Sequence, residues 1–137
     1  MKEFKFLNEE NEYILSKENL TYIDNEEIQG FELEEILNTL NEGREKVYFD
    51  YEYYTDKCDE CGAGKKIDEK HYRFLEYHFY IFTKDGQYVI SNISADFENT
   101  SFDALMKKGK INNSYIVSVL LCEDCMTYNI AMEQCDM

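Results

Sequence analysis

The chain has 137 residues, a formal net charge of −15 at pH 7, and 15% aromatic residues. The length suits one domain, residues 1–137, and the aromatic content excludes an intrinsically disordered chain. The acidic charge disfavours nucleic acids and anionic membranes as partners, and no segment approaches the ~20 apolar residues that cross a bilayer. The amino terminus shows no apolar signal sequence. We therefore expect an acidic, cytoplasmic, single-domain protein whose acids form a solvated surface.

The first predicted elements are strands and one amphipathic helix. Residues 12–23 mix tyrosine, isoleucine and leucine at short spacing, which favours one or two strands in a hairpin or turn. Residues 31–43 predict a helix, because four apolar side chains recur at helical spacing and Gly43 is placed to end it. These apolar side chains are Leu33, Ile36, Leu37 and Leu40.

The middle of the chain predicts a strand followed by a β-hairpin. Residues 46–58 alternate apolar and polar side chains and lead into the first cysteine. Residues 71–93 form two apolar and aromatic runs around Asp85-Gly86, a dipeptide typical of a type I′ turn. An unbroken register would pair Ile81 with Ile90 and Phe82 with Val89.

The last third predicts a short helix, a strand and a terminal helix. Residues 100–110 suit a helix capped by Thr100 or Ser101. Residues 114–122 predict a buried strand, and residues 123–135 predict a helix. The mixture predicts an α+β fold with a mostly antiparallel sheet and two to three helices.

Four of the five cysteines form two Cys-x-x-Cys pairs. Cys58 and Cys61 form the first, Cys122 and Cys125 the second, and 60 residues lie between Cys61 and Cys122. Two residues between ligands let a tight turn aim both thiolates at one ion at about 2.3 Å, and two such turns complete the tetrahedron that zinc accepts. Gly62 suits a turn in which the chain folds back past the metal without a Cβ clash. We expect one structural Zn²⁺ at these four residues.

The two pairs resemble those of treble-clef zinc proteins and, more loosely, zinc ribbons. The resemblance rests on Cys58-Asp59-Glu60-Cys61-Gly62, the β-hairpin that follows, and Cys122-Glu123-Asp124-Cys125 opening a helix. It covers about a quarter of the chain and implies a four-cysteine structural zinc, but no particular function. The whole chain also resembles small uncharacterised domain families of Firmicutes.

Other chemistries remain open for the same cysteines. A dithiol redox centre needs a depressed thiol pKa, which the neighbouring Asp56, Asp59, Glu60, Glu123 and Asp124 disfavour. Structural disulfides are disfavoured in a reducing cytosol, whereas iron could use the same four ligands.

Catalysis is not expected at this site. Four thiolates close the coordination shell, whereas a catalytic zinc keeps an open position. The histidines, His71 and His78, read as packed or edge-exposed residues, and the chain contains no catalytic sequence motif. We predict a protein that is not an enzyme.

A basic loop, residues 65–73, interrupts the acidic character. Lys65, Lys66, Lys70 and Arg73 follow the first cysteine pair, where they either contact a partner or balance the charge of the metal cluster. The favoured interpretation is a non-catalytic protein-interaction module with an unknown protein partner. The alternatives are a nucleic-acid-associated protein that uses this loop and a dithiol redox protein. Cys135 has no partner in the pattern and is not expected to be a ligand.

Overall fold

The structure, a computed structural model, describes residues 3–24, 28–58, 60–62 and 64–135. It confirms the α+β class, with strands as the larger part. The strands are β1 (Glu3–Asn8), β2 (Asn11–Ser16), β3 (Leu20–Ile23), β4 (Asp50–Tyr54), β5 (Lys65–Lys66), β6 (Tyr72–Lys84), β7 (Gln87–Ser91), β8 (Asn113–Cys122) and β9 (Tyr128–Gln134). The α-helices are α1 (Leu33–Glu42) and α2 (Phe102–Lys107), and short 3-10 turns lie at Lys17–Asn19, Arg44–Lys46 and Ala95–Asn99.

The strands form two sheets. β1 and β2 pair as an antiparallel hairpin, and the larger sheet has the order β3-β9-β8-β6-β4, with β5 and β7 also paired to β6. Its pairs are antiparallel except for β3 and β9, which run parallel. The mostly antiparallel sheet is therefore confirmed. None of the helices in the described part of the chain is long and apolar enough to cross a membrane.

The two faces of the larger sheet differ in what covers them. On one face, Leu75, Phe79 and Ile81 of β6 are fully buried in a core that also holds α1 and the β1–β2 hairpin. The alternate residues of β6 point to the other face. There Phe74 is buried in a smaller cluster with Cys58 and Cys122, whereas Tyr80 is 43% exposed. The cysteines therefore lie on the side of the sheet opposite the main core.

Several predicted elements are confirmed. α1 begins at Leu33 and ends before Gly43, with its apolar stripe buried. Asp85 and Gly86 both have positive φ, 51° and 83°, as a type I′ turn requires. The hydroxyl of Ser101 accepts a hydrogen bond from the backbone N–H of Ala104 and so caps α2.

The predicted register of the β6–β7 hairpin is wrong by one residue. Phe82 pairs with Ile90 and Ile81 with Ser91, because a bulge between Phe82 and Thr83 breaks the register. The extra residue of a bulge leaves the ladder locally unpaired. The shift brings Ser91 into the buried interior and leaves Val89 43% exposed.

Two segments differ from the sequence predictions. Residues 123–135 do not form a helix: a turn is followed by β9, in which Tyr128, Ile130 and Met132 are buried at the period of two that marks a strand. The strand β1 was not predicted, because it precedes residues 12–23, the segment predicted to hold the amino-terminal strands. Its Phe4 is buried in the core. Tertiary burial of alternating residues outweighs local sequence preference in both places.

Gly43 serves close packing rather than a left-handed turn. Its φ is −94°, which any residue can adopt. A Cβ built at this position would lie 2.5 Å from the carbonyl oxygen of Ile93 and 2.7 Å from its Cβ. The end of α1 therefore approaches the backbone of Ile93 too closely for a side chain.

We predict that Gly43→Ala lowers the free energy of unfolding by about 1–3 kcal/mol, the usual cost of forcing extra volume into packed structure. Chemical denaturation would measure the change. Glu34→Ala, on an exposed position of the same helix, is the control and should change stability by less than about 0.5 kcal/mol. Equal effects of the two substitutions would contradict the packing role of Gly43.

Candidate metal centre

The four paired cysteines converge at one point. The Sγ atoms of Cys58, Cys61, Cys122 and Cys125 all lie within 4.8 Å of one another. The Sγ atoms of Cys58 and Cys125 are 3.8 Å apart, and those of Cys61 and Cys122 are 3.9 Å apart. Sulfurs arranged tetrahedrally at about 2.3 Å from an ion are about 3.8 Å from each other. The cluster therefore has the geometry of a four-thiolate metal site, and its sulfurs are too far apart for disulfide bonds, which need about 2.05 Å.

The first cysteine turn contains Cys58, Cys61 and Gly62 and lies between β4 and β5. The backbone N–H of Gly62 donates to the carbonyl of Cys58 at 2.8 Å, which closes the turn. Gly62 has φ 69°, in the left-handed region where glycine is favoured. The predicted reason for the glycine, relief of a Cβ clash, is wrong: a Cβ built at Gly62 would meet no atom within 4 Å, so the positive φ alone favours glycine here.

The second cysteine turn, residues 122–126, repeats this geometry in the connection between β8 and β9. The backbone N–H of Met126 donates to the carbonyl of Cys122 at 3.0 Å, as Gly62 does to Cys58. Met126 has φ 64°, which strains a residue with a side chain. The backbone N–H of Cys122 donates to the carbonyl of Thr127 at 2.9 Å and completes the hairpin. No helix follows this pair, so the helix on which the treble-clef resemblance rested is wrong.

Burial makes the cluster unfavourable as a set of free thiolates. Cys58 is 8% exposed and Cys122 is 3% exposed. Burial raises the pKa of both thiols, most strongly that of Cys122. Burial also opposes ionisation of Cys125, but hydrogen bonds with Thr127, Cys122 and Cys58 together outweigh it and lower the pKa of this thiol. A cation among the four sulfurs would favour the thiolate form at every position, so the donor set fits a metal ion.

An ion pair fastens the second cysteine turn to the sheet. The guanidinium of Arg73 on β6 donates to both carboxylate oxygens of Glu123, at 2.7 and 2.9 Å. The Glu123 side chain is only 7% exposed, and Arg73 also lies over the ring of Tyr51 at 3.9 Å from its centre. Such bidentate, partly buried pairs are the strong kind. Arg73 is therefore engaged inside the molecule.

The amino-terminal segment also contacts the second cysteine turn and the start of β9. The side-chain amide of Asn19 donates to the carbonyl of Met126 at 2.8 Å and to that of Ile14 at 2.7 Å. The hydroxyl of Tyr128 donates to the carbonyl of Ser16 at 2.7 Å. The second cysteine turn is thus held by residues from both β6 and the start of the chain.

The other predicted site residues lie outside the cluster. Lys65, Lys66 and Lys70 are exposed. The Nδ1 of His71 contacts Asp68 at 3.0 Å, and the Nδ1 of His78 lies 2.8 Å from the Ser118 hydroxyl. Cys135 is not one of the four converging cysteines. Asp59, which was expected to crowd the first pair, lies outside the described residues.

The comparisons with known proteins identify a family. The family model described as "Protein of unknown function (DUF3785)" matches residues 4–137. The chain belongs to this family. No curated protein and no solved structure matches the chain. The DUF3785 assignment supports the expected uncharacterised family, and neither a treble-clef nor a zinc-ribbon fold is confirmed.

Sequence reasoning missed the residues that support the cysteines. Asn19 and the partnership of Arg73 with Glu123 follow from tertiary contacts across long stretches of chain, whereas Thr127 lies only two residues after Cys125, whose thiol it contacts. One signal was present in the sequence. Aligning the two Cys-x-x-Cys pairs places Met126 opposite Gly62, which would have predicted a left-handed residue at Met126.

The equivalence of Gly62 and Met126 predicts opposite mutational effects. Gly62→Ala should lower the free energy of unfolding by about 1 kcal/mol, because an alanine is strained at positive φ. Met126→Gly should leave stability unchanged or raise it by up to about 1 kcal/mol, because it relieves the same strain. Chemical denaturation of the metal-loaded protein would measure both.

The matched control is Met106→Gly in α2, where the same substitution falls in a right-handed helix and should cost about 1 kcal/mol. A loss of stability in Met126→Gly as large as in Met106→Gly would contradict the strain at Met126.

Proposed function

We propose that the four cysteines bind one structural Zn²⁺ and that the protein is a non-catalytic protein-interaction module. The observation that carries the proposal is the spacing of the sulfurs, 3.8 Å between Cys58 and Cys125 and 3.9 Å between Cys61 and Cys122, which is close to the edge of about 3.8 Å of a zinc–thiolate tetrahedron. Four thiolates fill the coordination shell and leave no position for a water or substrate. A structural role follows from that closure.

The position of the cluster also favours a structural metal. It would join the connection between β4 and β5 to the connection between β8 and β9, two turns with 60 residues of chain between them. Among the described residues, the apolar cluster around it is small, with Phe74 buried and Tyr72 and Leu120 partly buried. So small a cluster buries little apolar surface, whereas a structural zinc site supplies on the order of 10 kcal/mol of apparent binding energy. The metal would therefore stabilise this end of a single-domain chain.

The redox alternative is less favoured by the geometry. All four sulfurs lie within 4.8 Å of one another, and the contacts of 3.8 Å between Cys58 and Cys125 and 3.9 Å between Cys61 and Cys122 each connect one pair to the other. A thioredoxin-type centre instead forms its disulfide within one Cys-x-x-Cys motif. We propose that the thiols serve as metal ligands in a reducing compartment such as the cytoplasm, where thiols persist. A single iron ion would fit the same sulfurs, so metal analysis must measure both elements.

A protein partner is favoured over nucleic acid. Of the four basic residues singled out in the loop, Arg73 is bound to Glu123 and Tyr51, which leaves Lys65, Lys66 and Lys70 exposed. Three lysines on a chain of net charge −15 provide a weak counterpart for a phosphate backbone. A mobility-shift titration across salt concentrations tests the alternative, because phosphate contacts would show as an affinity that falls steeply with salt.

We predict one zinc per chain in protein purified without added chelator, measured by elemental analysis. Removing the metal with a chelator at neutral pH should lower the melting temperature by more than about 10 °C, because the metal's binding energy is part of the folding energy. Iron in place of zinc would contradict the assignment of the metal. An unchanged melting temperature after complete removal would contradict its structural role.

Cys122→Ser and Cys135→Ser form a matched pair that tests the ligand set. Cys122→Ser removes a buried donor and should reduce zinc content below half an equivalent and lower the melting temperature. Cys135 lies beyond the end of β9 and outside the cluster, so Cys135→Ser should change neither quantity. Zinc loss in Cys135→Ser would show that one of the four ligands is wrongly assigned.

A further inference from the structure

A groove runs across the larger sheet beside the cysteine cluster. Its volume is about 600 Å³. Its walls and floor come from all five strands of the path β3-β9-β8-β6-β4 and from the first cysteine turn with the residues before it. The lining residues used below are Tyr22, Tyr54, Asp56, Lys57, Glu60, Phe74 and Leu120.

The groove has an apolar floor and an aromatic residue at each end. Phe74 and Leu120 form the floor on the two central strands, β6 and β8. Tyr22 lies on β3 and Tyr54 on β4, the two edge strands of this path, and they are 61% and 38% exposed. Exposed tyrosine rings offer flat, electron-rich faces to cations and apolar groups.

The charge of the groove favours a cationic occupant. Asp56 and Glu60 line it with a single base, Lys57, among its lining residues in the described part of the chain. The whole chain carries a net charge of −15, so the surrounding field attracts cations and repels anions. Acids beside exposed aromatic rings are the usual surroundings of a bound lysine or arginine side chain.

The length of the groove suits a short extended peptide. Four spacings of about 4.8 Å separate β3 from β4, and the registers offset Tyr54 from Tyr22 by four residues, about 13 Å, along the strands, so the two tyrosines lie about 23 Å apart across the sheet. An extended chain advances about 3.3 Å per residue. Side chains six residues apart on one face of such a peptide are separated by about 20 Å, and long basic side chains cover the remaining distance to the two tyrosines, with apolar side chains between them over Phe74 and Leu120.

We propose that this groove binds an extended segment of a partner protein that carries two basic side chains, one over Tyr22 and one over Tyr54. The inference rests on the proposed function for the class of partner and adds the surface and the chemistry that recognise it. Aromatic contact supplies orientation, and the acids Asp56 and Glu60 supply attraction. The zinc site would hold the wall formed by the first cysteine turn in place.

The probe is the fluorescein-labelled peptide Arg-Ser-Leu-Ser-Leu-Ser-Arg, titrated with zinc-loaded protein and followed by fluorescence anisotropy. Its arginines are six residues apart, and its leucines share their face when the peptide is extended. We expect saturable binding at least about tenfold tighter than that of the peptide with glutamate in place of both arginines. A third peptide, with both arginines adjacent at one end, should bind about three- to tenfold more weakly than the probe, because it reaches only one tyrosine.

Two sets of variants separate the groove from general attraction to an acidic protein. Tyr22→Leu and Tyr54→Leu should each weaken binding of the probe about three- to tenfold, whereas Tyr53→Leu should not, because Tyr53 is exposed but points to the other face of β4. The double variant Asp56→Asn/Glu60→Gln should weaken binding of the probe more than the double variant Glu10→Gln/Glu12→Gln does. The latter pair removes the same charge from exposed positions near the β1–β2 turn. Equal effects within each matched comparison would overturn the proposal.

The remaining outcomes distinguish this inference from the metal proposal. Zinc content and melting temperature are measured for every variant, so that a loss of fold is recognised. If zinc-loaded protein fails to bind the probe, the groove proposal is overturned and the metal proposal stands. If purified protein binds the probe but holds no zinc, the metal proposal is overturned and the groove proposal stands. Sedimentation showing a dimer that Tyr22→Leu dissociates, or tighter binding of a single-stranded oligonucleotide than of the probe, would assign the groove to another occupant and overturn the proposal.

Discussion

The register between β6 and β8 is the constraint on which the rest of the structure depends. Ten successive residue pairs run from Phe74 opposite Cys122 to Thr83 opposite Asn113. Because side chains alternate between the faces of a strand, a slip of one residue would turn every side chain of β8 to the opposite face. Cys122 would then face the main core, away from Cys58. The same pairing therefore places the apolar residues in one core and the thiols in a separate cluster on the other face.

Much of the fold could be predicted from local patterns, where local and tertiary preferences agree. The helix α1 has an unbroken apolar stripe, the turn at Asp85 and Gly86 has a strong chemical signature, and Ser101 is a good cap. The predictions that proved wrong concern segments where tertiary packing opposes the local preference. Residues 123–135 contain helix-compatible residues, but the burial of Tyr128 and its alternating neighbours against β8 decides in favour of a strand. The bulge in the β6–β7 hairpin likewise follows from packing rather than from the turn sequence.

In the candidate site, too, local spacing predicts some features and tertiary contacts decide the others. The spacing of the cysteines predicted which four residues converge, because two-residue spacing restricts the turn to a few conformations. The surroundings could not be predicted in this way. Arg73 was expected either to contact a partner or to balance the charge of the metal cluster, but it meets Glu123, 50 residues away, and the ring of Tyr51. The groove could not be predicted either, since Tyr22 and Tyr54 come to line one groove only through the order of strands in the sheet. Contacts of this kind depend on topology, which local spacing does not encode.

The parallel pairing of β3 with β9 bears on how the chain reaches its native state. Leu20 pairs with Tyr128, so the strand nearest the amino terminus in the larger sheet finds its partner only in the last strand of the chain. Contacts between residues so distant in sequence carry a loop-closure entropy cost before they contribute stability, and proteins rich in them fold slowly. During synthesis on the ribosome, β3 must wait with its edge unpaired until β9 has emerged. The same delay applies to Cys58 and Cys61, which are made long before the thiols that complete their cluster.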